Sequence, residues 1–140
     1  MKIYIGERKL EDASFKSITE IEMLKYIADD SECTTIILDG VIKRYGFSQL
    51  SGIINLAYTK LRAGGELIIS DIDFDLLLFA YRKIGNLEEL NKMVESIGGF
   101  KSFITYEYLK ELIKTIPSLE FIGVDIDNIE FRLSYKRASL

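Results

Sequence analysis

KLRAGGELIISD, residues 60–71, is the stretch that decides the fold. An amphipathic helix runs into Gly64-Gly65, and a strand ending in Asp71 follows at once, which together read as one half of an α/β crossover. Either glycine can take the left-handed backbone that ends a helix, a conformation that costs a residue with a Cβ roughly 1–2 kcal/mol. Leu67, Ile68 and Ile69 are consecutive apolar residues, as in a strand buried on both faces of a parallel sheet. Asp71 then stands at the strand's carboxyl end, where open α/β sheets place their ligands.

Working upstream, Phe47, Leu50, Ile53, Ile54, Ala57, Tyr58 and Leu61 trace one face of a helix that begins at Phe47 or Ser48 and ends at Gly64. Residues 33–38 are β-branched and apolar and close on Asp39-Gly40, which predicts a strand. The N-terminus gives a short strand, Lys2–Ile5, then Gly6, a polar loop over residues 7–14, and a second short strand, Phe15–Ile18. Thr19 is placed to cap a helix with Ile21, Leu24, Tyr26 and Ile27 on its apolar face, ending near Asp29-Asp30.

Downstream, three helices follow one another without a strand. Residues 73–84 form a very apolar one. Asn86 caps the next, with Leu87, Leu90, Met93, Val94 and Ile97 on one face and Gly98-Gly99 as its stop. The third starts near Thr105, uses Leu109, Leu112, Ile113 and Ile116, and ends by Pro117. The period then changes: residues 119–126 read as a strand, Asp127-Asn128 as a turn, and Ile129, Phe131, Leu133 and Tyr135 alternate with Glu130, Arg132, Ser134 and Lys136. That is a terminal antiparallel hairpin.

The 140 residues suit a single domain spanning 1–140, and 48% hydrophobic with 29% charged residues describes an ordinary globule rather than a disordered chain. A net charge of -4 with no basic cluster argues against a nucleic-acid groove, because such binding works by neutralising phosphates. Cys33 is the only cysteine, which excludes an internal disulfide and a multi-cysteine zinc site. Histidine is absent, which excludes imidazole acid–base chemistry and histidine triads. Any catalysis must rest on carboxylates, Tyr, Lys or positioning. No apolar run approaches the ~18 residues of a membrane span, so a cytoplasmic protein away from membranes is expected.

Parallel strands that end in an antiparallel hairpin are the layout of the class I S-adenosylmethionine-dependent methyltransferases, and the local sequence resembles them. LRAGGELIISD is similar to the family's leucine, Pro-Gly-Gly turn and strand ending in Asp, with Ala63 in the proline's place. Residues 35–61 resemble the family's fourth strand with the loop and helix behind it, and residues 120–137 its closing hairpin. Residues 1–22 resemble the opening of a compact branch in which the first strand leads to Gly-x-Gly and the second ends in an acid. The glycines let the backbone approach the cofactor's methionine moiety, and the acid receives ribose hydroxyls. Here Gly6 keeps the first glycine, Arg8 occupies the second, and the acid's position falls on Thr19 with Glu20 and Glu22 nearby. Ile42-Lys43-Arg44 stands where many members carry Leu-Glu-His.

The resemblance implies a degenerate, Rossmann-like methyltransferase fold, a mostly parallel sheet with helices on both faces. It implies an S-adenosylmethionine site at Gly6, Glu7, Arg8, Glu20 and Asp39. A small-molecule or protein substrate would enter over Lys43, Arg44, Tyr45, Asp73 and Phe74, with Asp71 and Tyr45 as catalytic candidates. Transfer would proceed by proximity and alignment, without an acid or base. Plainer readings stand beside these: Gly6 as a tight turn, Asp39 as an Asp-Gly turn residue, Lys43 and Arg44 as a solvated loop. Asp71, Asp73 and Asp75 could suggest a hard-cation site, but Asp73 and Asp75 also suit a helix N-terminus, and no metal is expected. The alternative function is a non-catalytic descendant of the fold, binding a protein partner or its own copies through the apolar helix of residues 74–81 and the hairpin.

Overall fold

The computed structural model describes residues 1–97 and 100–139; the expected helix stop at Gly98-Gly99 lies outside them. β1 (Lys2–Ile5), β2 (Phe15–Ile18), β3 (Cys33–Asp39), β4 (Leu61–Ile72), β5 (Leu119–Asp127) and β6 (Glu130–Arg137) form one six-stranded sheet in the order β2-β1-β3-β4-β6-β5. The first four strands are parallel, and β6 runs antiparallel to both β4 and β5. The mixed sheet with its antiparallel close agrees with the sequence reading. The hairpin turn falls on Asn128-Ile129, one residue later than expected, with Asn128 at φ 58, a left-handed position that Asn tolerates.

The pleat sorts the strands' side chains into rows. On one face Ile3, Ile36, Leu67 and Tyr135 stand in register, as do Ile5, Leu38, Ile69 and Leu133. All of these are buried. α1 (Leu24–Ile27), α2 (Leu50–Lys60) and α5 (Tyr106–Ile113) pack on them, contributing Leu24, Ile53, Ile54, Ala57, Leu109 and Ile113 to the same core. On the other face Lys2, Thr35, Glu66, Lys136 and Glu120 form one row, and Tyr4, Ile37, Ile68, Ser134 and Gly123 the next. The first of these rows is largely exposed, and Ile68 is only partly buried between the fully buried Leu67 and Ile69. The helix layer is therefore uneven. One cause is the link between β1 and β2: these neighbouring parallel strands are joined by residues 6–14 without a helix, where a crossover ordinarily takes about a dozen residues or more and builds one.

The decisive stretch folds differently in detail from its reading. α2 ends at Lys60 rather than Gly64, and Leu61 is already extended. Gly64 does take a left-handed backbone, φ +80, but within β4, where the pairing with β3 slips between Cys33↔Leu61 and Thr35↔Glu66. At Gly65 a Cβ would stand 2.9 Å from the carbonyl oxygens of both Arg62 and Cys33. The glycine pair thus forms a bulge and a close backbone crossing, not a helix cap, because the same conformational freedom serves either purpose. Arg137 ends the helix instead: its Nη1 donates to the carbonyls of Tyr58 at 3.2 Å and Leu61 at 2.5 Å.

α3 (Phe74–Ile84) and α4 (Leu87–Ile97) gather a small apolar cluster of Ile72, Leu77 and Ile129 at the carboxyl end of β4. Their caps follow the sequence: Asp73 accepts from Leu76 N, Asn86 from Glu88 N and Glu89 N, and Thr105 caps α5 through Tyr108 N. Thr19 caps nothing. The segment after it is a 3-10 turn, Ile21–Met23, running into the single turn of α1, and Tyr26 is exposed. Among the described residues no helix is long and apolar enough to cross a membrane.

Candidate functional site

The carboxyl ends of β1, β3 and β4 bring the candidate residues together, but the helix layer separates them into two environments. Asp39 ends β3 on the less covered face. Its Oδ2 accepts from Tyr4 Oη at 2.5 Å, and Arg8 Nε stands 3.6 Å away. Arg8 continues to Glu130 Oε1 at 2.8 Å, and its backbone N–H donates to Tyr4 Oη. Burial, followed by the bond to Asp39, raises the Tyr4 pKa to about 12, so Tyr4 remains the donor at neutral pH. Gly6 fits against this pair: a Cβ there would lie 2.7 Å from Tyr4 Oη and 2.8 Å from the Asp39 carbonyl oxygen. A groove of about 390 Å³ opens over the same face, lined in part by Tyr4, Arg8, Ile37, Asp39, Asp125 and Arg132.

Asp71, next to last in β4, lies on the covered face, with its side chain fully buried. Its oxygens accept from Lys43 N at 3.1 Å and Ile72 N at 2.8 Å, and Lys43 Nζ stands 3.7 Å away. Burial raises the Asp71 pKa, and the Lys43 ammonium and the two backbone donors hold the rise back. Asp73 caps α3 and also accepts from Tyr106 N at 2.7 Å, while Phe74 packs against the Phe103 ring. Asp73 is thus a structural cap, with Asp75 in the first turn behind it.

Lys43 and Arg44 lie in the 3-10 turn Ile42–Arg44, and neither is a free loop cation. Lys43 turns inward to Asp71. Arg44 Nη1 donates to the Thr19 carbonyl at 2.7 Å, and its Nη2 stands 3.6 Å from Glu7 Oε1. Tyr45 Oη donates to Glu22; burial and that bond raise its pKa to about 12, which leaves it protonated and unable to act as a base near neutrality. Glu20 begins the first 3-10 turn without a side-chain cap bond. The expected cofactor residues are therefore divided: Arg8 meets Asp39, Glu7 meets Arg44, and Glu20 joins neither pair.

No family model matches the sequence, and no curated protein matches it. Solved structures do match the fold. A Burkholderia thailandensis 1,6-didemethyltoxoflavin-N1-methyltransferase, with bound 1,6-didemethyltoxoflavin and S-adenosylhomocysteine, is similar over 89% of this chain at 9% identity, TM-score 0.59. A SAM-dependent methyltransferase from Archaeoglobus fulgidus is similar over 91% at 13% identity, TM-score 0.58, and one from Methanosarcina mazei over 89% at 16%, TM-score 0.59. This chain has the class I methyltransferase fold. It spans 52% of the Burkholderia protein, 70% of the Archaeoglobus one and 66% of the Methanosarcina one.

Within the methyltransferase fold, three groups at the site escaped the sequence reading. Tyr4 reads as one more apolar strand residue, yet a buried phenol needs a partner for its hydroxyl, and Tyr4 is 2% exposed. That requirement is the one signal that could have drawn attention to it. Glu130 reads only as the polar half of an alternation, and the Thr19 carbonyl carries no signal in sequence.

Proposed function

We propose that this chain is a methyltransferase-fold domain whose cofactor crevice is closed by its own side chains, and that it works as a non-catalytic binding or assembly module. The observation that carries this is the engagement of Arg44 with Thr19 and Glu7, across the gap between the β1 loop and the end of β2. The resemblance gives that gap to S-adenosylmethionine. The residues fit the cofactor poorly in two further respects. Arg8 puts a guanidinium where the family's second glycine leaves bare backbone, and the cofactor itself carries a sulfonium cation. Asp39, at the end of β3 beside that loop, already binds Tyr4 and faces Arg8. Gly6 has a sufficient reason in the Tyr4 contact alone.

The competing reading is an active methyltransferase acting on a small molecule or a protein. The bound S-adenosylhomocysteine of the Burkholderia structure speaks for it, as the same fold holds the cofactor's product there. Isothermal titration with S-adenosylmethionine and S-adenosylhomocysteine separates the two. No saturable heat below the millimolar range is expected. Micromolar binding that Arg44→Ala leaves intact or strengthens would establish a working cofactor site and end the non-catalytic reading.

A further inference from the structure

The two edges of the sheet are built differently. β2 is four residues long with Lys16 in it, a short and charged edge of the kind that discourages another strand from pairing. β5 is nine residues long, contains neither Lys nor Pro, and pairs only with β6. Among the described residues no strand lies beside its outer N–H and C=O groups. A single pairing irregularity, between Phe121 and Gly123, interrupts it.

The two faces of β5 also differ. Phe121, Val124 and Ile126 stand opposite Tyr135, Leu133 and Phe131, on the core face. Phe121 is nevertheless 45% exposed and Ile126 48%, so the apolar rows run out past the helix layer before they are covered. On this side an open depression of about 640 Å³ lies between Val124 and the first turns of α5, and Lys110 Nζ sits 4.3 Å over the Phe121 ring. On the opposite face Glu120, Asp125 and Asp127 are exposed, and the 390 Å³ groove reaches Asp125, Ile126 and Asp127. In β6, Lys136 stands opposite Glu120 and Arg132 opposite Asp125, whereas Asp127 faces a second carboxylate, Glu130.

The geometry points to β5 as the docking edge for an extended segment of another polypeptide, alternating apolar and basic residues, added as a seventh strand. The backbone edge supplies main-chain hydrogen bonds, and the concavities on either side receive alternate side chains. Charge fixes the segment's chemistry and orientation. Its basic residues face Glu120, Asp125 and Asp127, and its apolar residues continue the Phe121, Val124 and Ile126 surface, where Glu107 and Glu111 balance Lys110 and Lys114. A second copy of this chain is a poor occupant, because pairing β5 with β5 joins two carboxylate-bearing faces, and like charges opposite one another are destabilising. The inference rests on reading the chain as a binding module and names that module's partner surface. It is tested apart from the cofactor crevice.

The probe is a fluorescein-labelled nonapeptide of alternating valine and lysine, titrated by anisotropy at physiological salt, with amide exchange measured on the complex. Saturable binding is expected, with new protection at alternate amides of residues 119–127. Asp125→Lys with Asp127→Lys should weaken binding at least tenfold, whereas Glu11→Lys with Glu95→Lys, the same charge change at exposed positions elsewhere, should leave it within twofold. The proposal fails if the peptide does not bind, or if a valine–glutamate peptide binds as well. It also fails if protection falls outside β5, if both double variants weaken binding alike, or if light scattering shows β5 already paired in a dimer that Asp125→Lys disrupts. None of these results bears on cofactor titration, so either reading can fall alone.

Discussion

The two faces of the sheet treat the same chemical group in opposite ways. Asp39 and Asp71 both lie at the carboxyl ends of neighbouring parallel strands, and each has a basic side chain nearby. Asp71 shares the pleat of Leu67 and Ile69 beneath the helix layer, where its side chain is wholly buried and its pKa is raised. Asp39 shares the pleat of Ile37 on the less covered face and lies at the wall of an open groove, held by Tyr4 and Arg8. Position at a strand's carboxyl end does not make a carboxylate a ligand group. The layer above it decides.

The largest test of that contrast is Lys43→Met. It leaves the buried Asp71 without its ammonium, and at neutral pH the loss should be about 3–5 kcal/mol by urea unfolding. The loss should shrink toward pH 4. Because the folded pKa of Asp71 lies above 3.8, the native state binds this proton more tightly than the unfolded state does. Its contribution to stability therefore falls as pH rises through the window from 3.8 to the folded value, and acidification recovers it. A loss independent of pH would mean that Asp71 is not the charge at issue.

Next in size, Leu67→Ala on the covered face should cost about 2–5 kcal/mol, and Ile68→Ala, its neighbour on the other face, distinctly less. Equal costs would show that the second face is covered in solution. The smallest effect belongs to the exposed row: Lys136→Ala, opposite Glu66 and Glu120, should change stability by no more than about 0.5 kcal/mol.

These contrasts also mark what the sequence could reveal. The core face of α2 and the alternation of β6 were legible because each is a local periodicity: Leu50, Ile53, Ile54 and Ala57 recur with the helix, and Phe131, Leu133 and Tyr135 with the strand, and all are buried. The helix starts at Asp73, Asn86 and Thr105 were legible for the same local reason. Gly64-Gly65 misled because a left-handed glycine marks a bulge as readily as a helix end. The run Leu67-Ile68-Ile69 shows an apolar strand but not how completely its second face is covered. At the site, Tyr4 and Asp39 meet across a separation of 35 positions and Arg44 and Thr19 across 25, and no spacing rule connects either pair. Lys43 and Arg44 stand out in the sequence by their charge, but their inward and sideways turns follow from where β2 and β4 end in space.

The placing of β6 between β4 and β5 has a consequence for how the molecule is made. A growing chain that has just passed Asp127 already holds all of β5, yet β5 has no site to join, because β6, its neighbour among the described residues, is still unmade. The sheet beyond β4 must wait for residues 130–137 and then closes on both sides of them together. Arg137 arrives last of that strand and grips the Tyr58 carbonyl, 79 residues behind it. The end of α2, built midway through synthesis and closed locally by the Leu61 N–H on the Tyr58 carbonyl, thus gains its Arg137 bonds only when β6 is out, and the crossover that defines the fold is completed from its far end.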